Sequence, residues 1–162
     1  MTTVYTGSGI DVSLVATREP RIFVLRIDIS KSFIDLSSVM AAVTAFFQDV
    51  NGRIVTHIRL VSSSALETPG MSQIVLITST LMDLQSVMDT KLKGTIIEMG
   101  SSNKRLKWSS ELFMKYYQPT SERAARRVFE VVDTADDTSR VLERILTHEK
   151  KKRERREHNN TS

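Results

Sequence analysis

The chain ends in a block of charge that cannot take part in a folded core. It holds Lys150, Lys151, Lys152, Arg153, Arg155 and Arg156 against Glu154 and Glu157. Six cations less two carboxylates leave +4, the formal net charge of the whole 162-residue chain, so residues 1 to 149 sum to zero. Like charges at that density repel one another and keep their hydration, so any core must come from the neutral body that precedes them. Such a block serves a polyanion such as nucleic acid or anionic lipid, or an import receptor that reads it as a nuclear import signal. The plainer alternative is the soluble end of a helix leaving the body.

The whole chain is 40% hydrophobic and has the length of one ordinary domain. Between Arg21 and Ile29, the residues Phe23, Leu25, Ile27 and Ile29 alternate with Val24, Arg26 and Asp28, which predicts a strand with one buried face. From Asp35 or Ser37, the residues Val39, Val43, Phe46, Phe47 and Val50 recur at helical spacing until Asn51-Gly52. Further strands are predicted at Arg53 to Val61, Gln73 to Thr78 and Gly94 to Met99, with a short helix at Leu81 to Met88 and a turn at Gly100 to Asn103.

The last third reads as helices over Ser110 to Tyr117, over Ser121 to Val132, and from Thr134 or Asp136 onward. Glu122, Arg126 and Glu130 support the second of these as an i, i+4 ladder, and Thr134-Ala135-Asp136-Asp137 opens the third as a capping box. Val141, Leu142, Ile145 and Leu146 are the last apolar anchors, so beyond about His148 the helix is expected to leave the body. These patterns predict an α+β fold: a small, mainly antiparallel sheet packed with helices, a helical C-terminal third and a basic tail. Residues 1 to 20 are expected to be flexible, residues 21 to 148 to form a single globular domain, and residues 149 to 162 to be a solvated basic tail.

Cysteine is absent, which removes disulfides, thiolate metal sites and cysteine nucleophiles together. His57, His148 and His158 are scattered, without a carboxylate at ligand spacing, and His57 reads as a surface or packed strand residue. Gly7-Ser8-Gly9 lacks the preceding strand and third glycine of a nucleotide loop, and neither a Walker lysine motif nor a Gly-x-Ser-x-Gly elbow occurs. No metal, cofactor or catalytic group is therefore expected, and the protein reads as non-enzymatic. Met1 to Gly9 has no signal-peptide pattern, Thr2 excludes N-myristoylation, and apolar runs such as Ile74 to Ile77 are far shorter than a membrane span, so a soluble or peripheral protein is expected.

A second basic stretch runs from Lys91 through Lys93, Lys104, Arg105, Lys107, Lys115, Arg123 and Arg126 to Arg127, against Glu98, Glu111 and Glu122. Residues 128 to 149 are acidic in balance. The two segments either pair within one molecule or present separate faces, one to phosphates and one to a neighbouring copy. The residues expected to bind a polyanion, RNA or lipid, are Lys91, Lys93, Lys104, Arg105 and Lys107 together with Lys150, Lys151, Lys152, Arg153, Arg155 and Arg156. Trp108 and Tyr116-Tyr117 interleave with these cations, as bases stacking on a binder require, although core packing also accounts for them. No base-reading motif is present, so binding is expected to be phosphate-driven and tolerant of sequence.

Three segments in order carry a family resemblance. The run Arg21-Ile22-Phe23-Val24-Leu25-Arg26-Ile27 leads into Leu36-Ser37-Ser38-Val39-Met40-Ala41-Ala42-Val43. Next come Leu60-Val61-Ser62-Ser63-Ser64-Ala65-Leu66-Glu67-Thr68-Pro69 and then Leu92-Lys93-Gly94-Thr95-Ile96-Ile97-Glu98-Met99. Together they resemble the globular domain of rhabdovirus matrix proteins over about half of the chain. The resemblance implies a virion structural protein that self-associates, condenses the viral nucleocapsid and its RNA, and bridges it to an anionic membrane surface. It brings no catalytic residues. The basic segment lies at the opposite end from the arm of the animal-virus members, and their proline-rich budding signals are absent. That placement is similar to a compact plant-infecting member moving between host cytoplasm, membrane periphery and nucleus, with importin as a further partner. The alternatives are a monomeric viral RNA-binding accessory protein, such as a silencing suppressor or movement factor, and a nuclear-import adaptor.

Overall fold

Alternation over Phe23, Leu25 and Ile27 produces strand β3 (Ile22–Ile29), the middle of the sheet. The structure is a computed structural model that describes residues 1–7, 9–29, 36–60, 86, 90–98, 122 and 126–161. On one side of β3 lie β2 (Ile10–Ala16) and β1 (Thr2–Gly7), and on the other β4 (Arg53–Leu60), β5 (Leu92–Glu98) and β6 (Val128–Val132), in sequence order across the sheet. Helix α1 (Leu36–Asp49) joins β3 to β4, and helix α2 (Ala135–Thr161) closes the described chain.

The α+β class and the helical C-terminal part are as expected, but the sheet is mixed rather than mainly antiparallel. β1–β2 and β2–β3 pair antiparallel, whereas β3–β4, β4–β5 and β5–β6 pair parallel. Connection length decides this. Two residues separate β1 from β2 and permit only a hairpin, while the α1 crossover carries the chain back to start β4 beside the start of β3. Residues 1 to 20, expected to be flexible, instead supply β1 and β2. Their Thr/Val/Ile content suits a half-buried pleated surface, with Ile10 and Val12 in the core.

The helix expected over Ser121 to Val132 also changes character. Glu122 and Arg126 are helical, but Val128–Val132 is β6. β-branched Val128, Val131 and Val132 with Phe129 favour the strand, and pairing with β5 outweighs the charge ladder. Glu130 accordingly pairs with Arg144 of α2 rather than with Arg126. The strand expected at Gln73 to Thr78 and the helices at Leu81 to Met88 and Ser110 to Tyr117 lie outside the described residues, Ser86 apart. The Gly100 to Asn103 turn also lies outside them.

Because alternate residues of a strand face opposite sides, the sheet builds two apolar layers. Val12, Leu25, Ile27, Ile54, Ile58 and Ile97 pack with Val43 of α1. On the other face Ile22, Val55 and Ile96 pack with Val141, Ile145 and Leu146 of α2, the anchors read from the sequence. Gly94 lets α2 approach, since a Cβ there would stand 3.0 Å from Ile145 Cδ1. Thr134 caps α2 as the capping-box pattern predicts: the Asp137 amide donates to Thr134 Oγ1 at 3.2 Å, and that hydroxyl donates to Asp137 Oδ2 at 2.9 Å.

The α1-to-β4 turn lies close against the backbone of the turn before β3. Arg53 N donates to the Arg21 carbonyl at 2.7 Å, and a Cβ on Gly52 would fall 2.7 Å from that oxygen and 2.8 Å from Phe23 Cε2. Arg21 itself sits at φ 60°, a left-handed conformation that costs a non-glycine residue energy, in the Pro20 turn between β2 and β3. A Gly52→Ala variant should therefore lose about 1 to 3 kcal/mol through overpacking. Urea denaturation checks this, and an unchanged midpoint would mean that the turn can move aside.

Candidate polyanion interface

Helix α2 crosses the sheet antiparallel to β5. Thr138 meets Glu98 at the end of that strand, Ile145 lies over Gly94, and Glu149 reaches Lys93 near its start. After residue 146 the sequence has no apolar residue, yet the helix continues to Thr161 past the rim where β3, β4 and β5 begin. The basic block thus lies in the last turns of a 27-residue helix. Its residues are exposed, as expected beyond His148, but two ion pairs tie this stretch to the body. Lys93 Nζ lies 3.4 Å from Glu149 Oε1, with both side chains about 15% exposed, and Arg153 Nη2 lies 3.4 Å from Glu19 Oε2, whose side chain is only 6% exposed.

This continuation divides the basic block by helix face. Lys152 and Arg156 turn inward over a cleft of about 1000 Å³, which they line with Arg53 from the start of β4, Lys93 from β5, and Arg126 and Arg127 from the segment entering β6. Glu122, Glu130 and Glu149 are its carboxylates. A smaller hollow of about 450 Å³ adjoins it, sharing Arg53, Glu149, Lys152 and Arg156 and adding Arg21, Arg153, Glu19 and Glu157. Burial pushes the Lys93 ammonium below the usual lysine range, with Arg53 and Lys152 acting the same way against Glu149. The cations are therefore close enough to repel one another, the condition under which a cleft attracts an anion.

Of the residues expected to bind a polyanion, Lys93, Lys152, Arg153 and Arg156 come together at these hollows. Lys151 lines a shallow depression on the outer side of α2 with Arg140, Arg144 and His148. Lys150 and Arg155 are exposed and line neither hollow. Lys91 sits at the rim, where its Nζ donates to the Val50 carbonyl at 2.8 Å. Lys104, Arg105 and Lys107 lie outside the described residues, as do Trp108 and Tyr116-Tyr117. Sequence reasoning left out Arg53 and Arg21. Arg21 closes the turn before β3 and Arg53 opens β4, which puts both at a strand's rim, but only the parallel strand order shows that their rim is the one α2 overhangs.

At the opposite rim lies a buried polar cluster. Glu98 Oε2 accepts from His57 Nε2 at 2.8 Å and from Thr138 Oγ1 at 2.9 Å, and Arg59 grips Asp28 through two hydrogen bonds of 2.9 and 3.0 Å. Burial lowers the His57 pKa, and Arg26 and Arg59 add to the effect while Glu98 opposes it. The neutral ring therefore donates its Nε2–H to the carboxylate. His57 is thus a packed residue that helps fasten α2 to the sheet. Among the described residues no group of three or more His, Asp or Glu side chains is placed to hold a metal ion, and no helix is long and apolar enough to cross a membrane. No protein-family model matches this sequence, and neither the curated proteins nor the solved structures compared with it yield a relative.

Proposed function

We propose that this protein is a structural, non-enzymatic binder of RNA phosphates, of the matrix type its sequence resembles, which self-associates and condenses a ribonucleoprotein. The observation that carries this reading is the convergence of Arg53, Lys93, Lys152 and Arg156 on one cleft, from three elements spread over about 100 residues of sequence. Cations gathered by tertiary folding at that cost in repulsion call for a counter-anion. RNA is favoured over a lipid surface as the primary partner. The cleft is concave and suits a strand rather than a plane, and the overhanging turns of α2 carry no apolar side chain to enter a bilayer.

Fluorescence anisotropy with a labelled single-stranded RNA 12-mer, against anionic and neutral vesicles, tests the reading. Affinity for RNA should fall as salt rises, with a log-log slope of roughly −0.7 for each phosphate neutralised. Light scattering over a dilution series should show concentration-dependent assembly. A flat salt profile would remove phosphate binding from the function. A strict monomer that binds RNA would favour an accessory RNA-binding role over the matrix role.

A further inference from the structure

Glu149 stands apart from the other carboxylates of α2. Its side chain is largely buried, it pairs with Lys93, and it lines both hollows together with Arg53, Lys152 and Arg156. Glu143 is more than half exposed and pairs with Arg18 on the body surface, Glu157 lines only the smaller hollow and is more than half exposed beside Arg153, and Glu154 is exposed and lines neither hollow. One largely buried carboxylate is thus held by the chain itself among four cations, with the charge sign of a phosphate.

We propose that Glu149 is a resident competitor that sets the ligand class of the cleft: it occupies Lys93 in place of a phosphate, so that only a nucleic-acid strand contacting several cations together can bind. This inference rests on the phosphate-binding reading above and extends it from affinity to specificity. An intramolecular carboxylate acts at an effective concentration in the millimolar range or higher, which a single free phosphate group does not overcome. A strand engages Arg53, Lys152 and Arg156 as well. Those additional contacts offset the loss of the largely buried Lys93–Glu149 pair, whose attraction is already reduced by the cost of holding both groups away from water. The same device keeps the cleft closed to inorganic phosphate and to mononucleotides at cellular concentrations.

Glu149→Gln keeps the shape of the side chain and removes the competitor. It should bind the single-stranded RNA 12-mer about 5- to 10-fold more tightly than the native chain at about 0.1 M salt. Its salt slope should steepen by roughly 0.7, the contribution of one further phosphate contact. Inorganic phosphate should then displace the RNA at millimolar concentration from the variant but not from the native protein. Glu154→Gln changes the net charge equally outside the cleft and controls for general electrostatics, and far-UV circular dichroism checks that α2 is retained. Equal gains in the two variants, or no gain in Glu149→Gln with the helix intact, would overturn the proposal. If native protein and all variants fail to bind RNA, the phosphate-binding reading falls as well. If RNA binds the native chain while only the competitor role fails, that reading stands.

Discussion

Changing Arg53, Lys152 and Arg156 together to Glu should lower affinity for single-stranded RNA by roughly 100-fold or more at about 0.1 M salt, equivalent to about 2.7 kcal/mol. All three line both hollows, so one set of changes reverses the charge on the ridge between them. Each lost phosphate contact should also flatten the salt dependence by about 0.7 on the log-log plot, or roughly 2 for the three. The comparison that gives this result meaning is a variant carrying Lys150→Glu and Arg155→Glu. These belong to the same basic block but line neither hollow, so the expected loss is several-fold only. Anisotropy titrations at three or four salt concentrations measure both quantities. If the outward-facing pair proves as damaging per charge as the cleft residues, α2 is acting as a uniformly charged rod and the cleft has no role of its own.

The second large effect is on stability, at the opposite rim. Glu98→Ala removes the acceptor shared by His57 and Thr138. Thr138 Oγ1 has a second acceptor in the Thr134 carbonyl at 3.2 Å, so the loss falls mainly on the buried His57 ring. An unsatisfied buried donor with the small cavity left by the side chain should cost about 2 to 4 kcal/mol, read as a lower urea midpoint.

The same cluster sets a pH dependence. Because the folded-state pKa of His57 is lowered, the unfolded chain takes up its proton first as pH falls past the ordinary value of about 6.5. The unfolded state then binds more protons, so stability rises with pH through this window and levels off above it. His57 contributes its full stabilisation above about 6.5 and loses it progressively on acidification, when a charged ring would have to be buried, with Arg26 and Arg59 adding to that cost and Glu98 only partly offsetting it. A His57→Gln variant should show a flatter profile from pH 7 to 5, and an unchanged profile would assign the acid sensitivity to other groups.

Several elements were legible because their determinants are local. The alternation in Phe23, Leu25 and Ile27, the helical spacing closed by Asn51-Gly52, and Thr134 ahead of Asp137 each depend on neighbours within a few residues. They appear in the structure within a residue or two of where the pattern puts them. β6 was not legible, because the preference of Val128 to Val132 for a strand is realised only when Gly94 to Glu98 lies alongside to accept the pairing. β1 was missed for a related reason, since a polar, threonine-rich segment has no strong period of its own and is fixed by the edge it completes, whereas in β2 the alternation of Ile10, Val12 and Leu14 with Asp11 and Ser13 is a local strand signal.

The candidate site divides in the same way. Sequence alone determined that positive charge is concentrated at residues 150 to 156, that Val141, Ile145 and Leu146 anchor the helix before it, and that the chain belongs to the α+β class. Those are properties of composition and of spacing along a helix. Which cations stand together was decided only in three dimensions, where the parallel order of β3, β4 and β5 brings Arg53 and Lys93 to one rim and the direction of α2 carries Glu149, Lys152 and Arg156 over it. Electrostatic interaction depends on separation in space, and no count of charges along a chain contains that distance.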